Sequence, residues 1–102
     1  MLALAGELDM ESAHLLQDEL SEQLRQKRAH LVLDLSALGF MDSSGLNVLI
    51  RALHQARALG GDVHLAAPTS AVRRILEITG VTTTIPPHAD LAEALAAAGA
   101  AR

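Results

Sequence analysis

Along this chain the apolar positions switch repeatedly between runs of consecutive aliphatics and stripes spaced three or four residues apart, the pattern of strands alternating with helices. Leu2–Ala5 is a short apolar run closed by Gly6 and reads as a strand. From Ser12 to about Arg28, Ala13, Leu16, Leu20 and Leu24 share one helical face, with Glu19, Glu22, Gln23 and Gln26 off it. Asp9 or Ser12 is placed to cap that helix. Leu31–Leu35 is almost continuously apolar, as in a strand covered on both faces. A connection through Ser36–Asp42 leads to a second helix, Ser43 to Leu59, whose inner stripe is Leu46, Leu49, Ile50, Leu53 and Ala56. Gly60-Gly61 ends it with residues that tolerate positive φ.

The same alternation continues in the second half. Val63–Ala67 is a third strand stopped by Pro68, and Thr69 or Ser70 caps a short helix over Ala71–Thr79. Val81–Ile85 is β-branched and predicts a fourth strand, broken by Pro86-Pro87. Asp90 with Glu93 resembles a capping box ahead of a last, alanine-rich helix, Asp90 to Ala98. The order β-α-β-α-β-α-β-α predicts an α/β domain over residues 1–102: a mostly parallel four-stranded sheet with four helices.

Composition narrows the function classes. Half of the 102 residues are hydrophobic and a fifth are charged, enough for one packed core. Phe40 is the only aromatic residue, so no platform exists for stacking bases. The net charge is −4 and the basic residues are scattered, Arg73-Arg74 and the Arg25, Lys27, Arg28 group being the only clusters. Nucleic-acid binding is therefore disfavoured, and Arg73-Arg74 reads as a solvated helix face. The absence of cysteine removes disulfides, thiolate catalysis and sulfur-ligated metals. Met1–Ala5 lacks the basic flank of a signal peptide, and no run approaches the roughly 20 apolar residues of a membrane span. A cytoplasmic protein without membrane insertion is expected.

The chemistry concentrates in Leu31–Ile50, where a buried strand delivers the chain to Asp42-Ser43-Ser44-Gly45 at the mouth of an amphipathic helix. Unpaired N–H groups and the positive end of the helix dipole gather there. Small hydroxyl residues at that position are open to another protein, and Gly45 would let a partner's backbone come close. Asp and Ser are also the commonest helix caps, so the tetrapeptide alone reads first as capping chemistry.

Phe40-Met41-Asp42-Ser43-Ser44-Gly45-Leu46 resembles the phosphorylation-site signature of bacterial anti-sigma factor antagonists of the STAS domain family. Gly6-Glu7-Leu8-Asp9 resembles the early motif of that family. Gly60-Gly61, Ala71–Leu76 and Thr79-Gly80-Val81 resemble its second half, so the likeness runs from about Leu2 to about Ala96. The resemblance implies a non-enzymatic switch that binds an anti-sigma factor serine kinase when unphosphorylated. It implies release on phosphorylation of Ser44, Ser43 being the second choice, with a serine phosphatase resetting the cycle. The implied docking surface comprises Asp9, Met41, Asp42, Ser43, Ser44, Gly45 and Asn47, with no cofactor and no metal. Family members usually carry one more strand before Gly6-Glu7-Leu8-Asp9; a chain without it exposes a sheet edge that invites dimerisation.

Three rival readings are weaker. Neither serine sits in a G-x-S-x-G elbow, and His14, His30, His54, His64 and His88 are dispersed, with no metal-binding spacing. Asp34, placed like a phospho-acceptor aspartate, lacks the paired carboxylates and the later lysine of a receiver, and reads as a structural carboxylate. Within the STAS family, the alternative is an accessory subunit of a phospholipid-transport or stressosome-type complex.

Overall fold

The structure, a computed structural model, describes residues 1–26 and 29–100. The helix end expected at Arg28, and Lys27 and Arg28 of the basic group, lie outside the described residues. Eight elements follow one another: β1 (Leu2–Leu8), α1 (Met10–Arg25), β2 (His30–Met41), α2 (Ser43–Ala58), β3 (Asp62–Ala66), α3 (Ser70–Ile78), α4 (Val81–Thr84) and α5 (Leu91–Ala100). The strands form one parallel sheet in the order β1-β2-β3, with β1 at one edge.

Period-two alternation sorts the strand residues onto the two faces of the sheet. Leu31, Leu33, Leu35, Val63 and Leu65 join the inner stripes of α1 and α2, and Val72, Leu76, Val81 and Ile85, in one aliphatic core. On the opposite face Val32 and Ala66 pack against Ala94 and Ala98 of α5. The three-layer plan is therefore lopsided, with one deep core and one shallow one. Over β1 the shallow face has no cover among the described residues, and Ala3 and Ala5 are exposed there.

Two expectations fail for identifiable reasons. The sheet has three strands, not four, because Val81–Thr84 forms a single helical turn. Gly80 takes a left-handed φ of 80°, which turns the chain there. Val81 and Ile85, four residues apart, are then both buried, at 6% and 3% exposure. Four-residue spacing serves a helical turn, and the β-branched run yields to it. Among the described residues, only an isolated bridge from Ala66 to His88 continues the sheet beyond β3, and the helices accordingly number five.

The second failure concerns β2, which absorbs the predicted Ser36–Asp42 connection and ends at Met41. Its buried positions there are Leu35, Leu38 and Met41, a spacing of three that no alternating pattern discloses. The register shifts against β1 between Ala3 and Ala5 and between Gly6 and Glu7 explain it, each displacing the side-chain alternation. Asp34 consequently lies inside β2, where its Oδ1 accepts the Ser36 N–H at 3.0 Å.

The end of α2 and the start of β3 are joined with little slack. Gly60 adopts φ 83°, whereas Gly61 is there for space: a Cβ would lie 2.0 Å from the Ala29 carbonyl oxygen. Asp62 N–H donates to that same oxygen at 2.9 Å, so neither backbone can retreat. Arg57 then ties three elements together, donating from Nε to Asp62 Oδ1 at 3.2 Å and from Nη2 to the Thr84 carbonyl at 3.2 Å.

Gly61→Ala is expected to lower unfolding stability by about 1–3 kcal/mol through overpacking. Gly99→Ala, where an added methyl meets open space in α5, should be neutral or stabilising by up to about 1 kcal/mol. Urea unfolding of the two variants beside the parent measures both.

Candidate functional site

The same local design occurs twice at the C-terminal end of the sheet: a strand, one aspartate, then a helix. Asp9 follows β1 and caps α1; its Oδ1 accepts the N–H groups of Glu11 and Ser12, each at 3.0 Å. Ser12 returns the bond, its Oγ accepting the Asp9 N–H at 2.9 Å and closing a capping box. Bonds from the Ser12 backbone and hydroxyl hold the Asp9 carboxyl below its usual range, slight desolvation opposing them and the Glu11 N–H adding to them.

Asp42 does the same for α2. Its Oδ1 accepts from Ser44 N at 2.8 Å and from Gly45 N at 3.2 Å, and its carbonyl accepts from Leu46 N at 3.1 Å. Its own N–H donates to the Leu8 carbonyl at 3.0 Å, one step beyond the Leu8–Met41 pairing of β1 with β2. Asp9 and Asp42 are thereby neighbours at adjoining strand ends, each at a helix mouth.

Between them the sheet leaves hydroxyls available. Ser43 is exposed and Ser44 half-buried, and neither hydroxyl has a hydrogen-bond partner among the described residues. Asn47, one turn along α2, is exposed on the same helix. Asp9, Asp42, Ser43, Ser44 and Asn47 are each at least partly open to solvent at or near the two helix mouths.

Two predicted contacts belong to the interior instead. Met41 is 1% exposed, so its side chain is core and cannot meet a partner. Gly45 is buried as well: a Cβ there would stand 2.6 Å from Leu8 Cγ and 3.0 Å from Met41 Cγ. Its missing side chain lets α2 settle onto β1 and β2, which replaces the expectation that it admits a partner's backbone. Two residues outside the predicted surface flank it. Met10, after Asp9, is 77% exposed and Phe40, before Met41, is 45% exposed. The signal for Phe40 was its being a lone aromatic beside a polar motif.

The surroundings make a rigid base. Thr69, the cap of α3, donates from Oγ1 to the Leu38 carbonyl at 2.8 Å, pinning the last stretch of β2 from the side. No group of His, Asp and Glu side chains among the described residues is arranged to hold a metal ion. Nor is any described helix long and apolar enough to cross a membrane.

Comparison with known proteins agrees with this geometry. The STAS domain family model matches residues 1–94. An anti-sigma F factor antagonist from Paenibacillus polymyxa is 30% identical over 87 residues, covering 84% of this chain and 74% of its own. The anti-sigma-B factor antagonist of Bacillus subtilis is 32% identical over 78 residues, covering 76% and 71%. The crystal structure of an anti-sigma factor antagonist from Mycobacterium paratuberculosis superposes with a TM-score of 0.81 at 30% identity, covering 95% of this chain and 83% of that one.

Asp42→Ala should cost about 1 kcal/mol of stability through loss of the cap. Ser44→Ala, which removes an unpartnered hydroxyl, should stay within about 0.5 kcal/mol of the parent. Chemical unfolding of both variants checks the contrast.

Proposed function

This chain belongs to the STAS domain family, and we propose that it is an anti-sigma factor antagonist switched by phosphorylation at the mouth of α2. Its relatives bear that name, and the reading is carried by one observation: two serines with unengaged hydroxyls beside the Asp42 cap. In this proposal the unmodified surface docks onto an anti-sigma factor that is also a serine kinase. Phosphate transfer from ATP to Ser44 then ends the complex, and a serine phosphatase restores it. The chain itself performs no catalysis.

Ser44 is the proposed acceptor because it matches the second serine of the family motif and its amide is held by Asp42. Ser43, the more exposed of the two, is the competing acceptor. The electrostatics favour a switch that acts on docking, not on folding. A phosphoserine brings about −1.5 to −2 charges. At most helix starts free N–H groups would soothe such a charge. Here the N–H groups of Ser44 and Gly45 are already committed to the Asp42 carboxylate. The phosphate is thus turned away from its own helix and toward the partner, with Asp42 repelling it from behind. Leaving that charge partly desolvated and unpaired at an interface, at a net penalty of about 3 kcal/mol, weakens binding roughly a hundredfold.

Ser44→Asp is expected to lose about a hundredfold in affinity for the cognate anti-sigma kinase while unfolding like the parent. Ser44→Ala should bind but take up no phosphate from labelled ATP. Titration calorimetry and kinase assays on parent, Ser43→Ala and Ser44→Ala decide the matter. Labelling that persists in Ser44→Ala moves the acceptor to Ser43. An acid-labile phosphate moves it to Asp34. Failure of the unmodified chain to bind any kinase-type anti-sigma factor defeats the proposal.

A further inference from the structure

Three of the five histidines, distant in sequence, stand in one column on the α5 side of the sheet. His30 opens β2, His64 is the middle residue of β3, and His88 lies on the segment that bridges to Ala66. The rings of His30 and His64 stack with centroids 6.4 Å apart and 24° between their planes. Those of His64 and His88 are 5.8 Å apart at 36°. Strand alternation places His30 on the face of Val32, and His64 on that of Ala66, the two strand residues against which Ala94 and Ala98 of α5 pack. The backbone of His88 is stitched to β3 on both sides, donating to Leu65 O at 2.8 Å and accepting from Ala67 N at 2.9 Å. The column therefore stands where the last helix meets the sheet, at the other end of β2 from Asp42.

Its hydrogen bonding is incomplete. His30 Nδ1 and His64 Nε2 are buried without a partner. Of the charged groups nearby, Asp62 on β3 is occupied by Arg57 of α2 at 3.2 Å and by the Val63 N–H at 2.9 Å. Asp34, two positions beyond Val32 on β2, accepts from Ser36 N. Asp90 caps α5 through the Glu93 N–H at 2.8 Å. Glu93, on α5, reaches His88 Nδ1 at 3.3 Å. Protonation of the central ring thus places a cation, its Nε2 without a hydrogen-bond partner, between two further imidazoles.

We propose that this column is an acid-sensitive latch: neutral rings keep α5 and the His88 segment on the sheet, and protonation of His64 forces them away from β2 and β3. Burial lowers the proton affinity of His64 below the ordinary histidine value, Asp62 opposing it and His88 and His30 reinforcing it. A group of that kind gives its full stabilisation above the unfolded value of 6.5, and that contribution is lost as the pH falls below it toward the lower folded value. The central ring, with no carboxylate hydrogen-bonded to it among the described residues, is the one that opens the latch. None of this depends on the role of Ser44.

Native-state amide exchange on the whole chain, in buffer containing a chelator, tests the proposal at about pH 7.5 and about pH 5.5. After correction for intrinsic rates, opening of residues 91–98 should rise on acidification, by up to about tenfold for one group of ordinary value 6.5 that ionises only in the opened state. Amides in the middle of α2 should hold, and His64→Gln should abolish the rise. Unchanged α5 protection in the parent, or an equal rise in His64→Gln, overturns the latch. A titration of His64 in the parent by NMR needs no variant: its midpoint should lie below the ordinary histidine value of 6.5, and a midpoint at or above it overturns the latch equally.

Discussion

The position of α2 rests on Asp42, which is held from two directions. Its backbone N–H continues the β1-β2 ladder to Leu8 O, and its side chain takes the first amides of the helix. Neither contact alone would orient the helix, because a strand end can swivel and a cap can form at many angles. Together they fix where the helix begins and how it leaves the sheet. Gly45 completes the constraint by bringing the first turn against Leu8 and Met41. The serines are displayed as a by-product: with the amides served by Asp42 and the inner side filled by Gly45, their hydroxyls have no structural duty.

Most of this was legible in the residues. The helices α2 and α3 appear within a residue of where their stripes and caps place them, and α1 begins two residues before its expected start, since aliphatic spacing and an Asp or Thr cap are local signals. What was not legible depended on partners far away in the chain. The last third of β2 is a strand because β1 lies beside it with two register shifts, and no window of β2 contains that information. Val81–Thr84 is helical because both Val81 and Ile85 find room in the core under α2, a choice that a β-branched run does not announce. The Asp90–Glu93 pair is half what its spacing suggests: Asp90 caps the helix, while the Glu93 side chain goes to His88.

The proposed docking surface shows the same division. Spacing located the helix and the family resemblance singled out Asp42, Ser43 and Ser44, but neither told which members of the motif face inward. Met41 and Gly45 belong to the motif for packing reasons, so a motif can be shared for two causes at once: some positions support the platform and others present it. Likewise the histidines look unrelated at intervals of 34 and 24 residues, and only the parallel sheet lines them up.

Arg57 shows how a fold can depend on the shape of a cation as well as its charge. Its guanidinium reaches the first residue of β3 and the last residue of α4 from one helix end. A lysine there would keep the positive charge but offers a single point of donation, without the flat fork that spans two acceptors. The corner where helix, strand and turn converge would then choose between its two attachments, and the short helix would lose the fixed endpoint that sets the chain on its path toward His88.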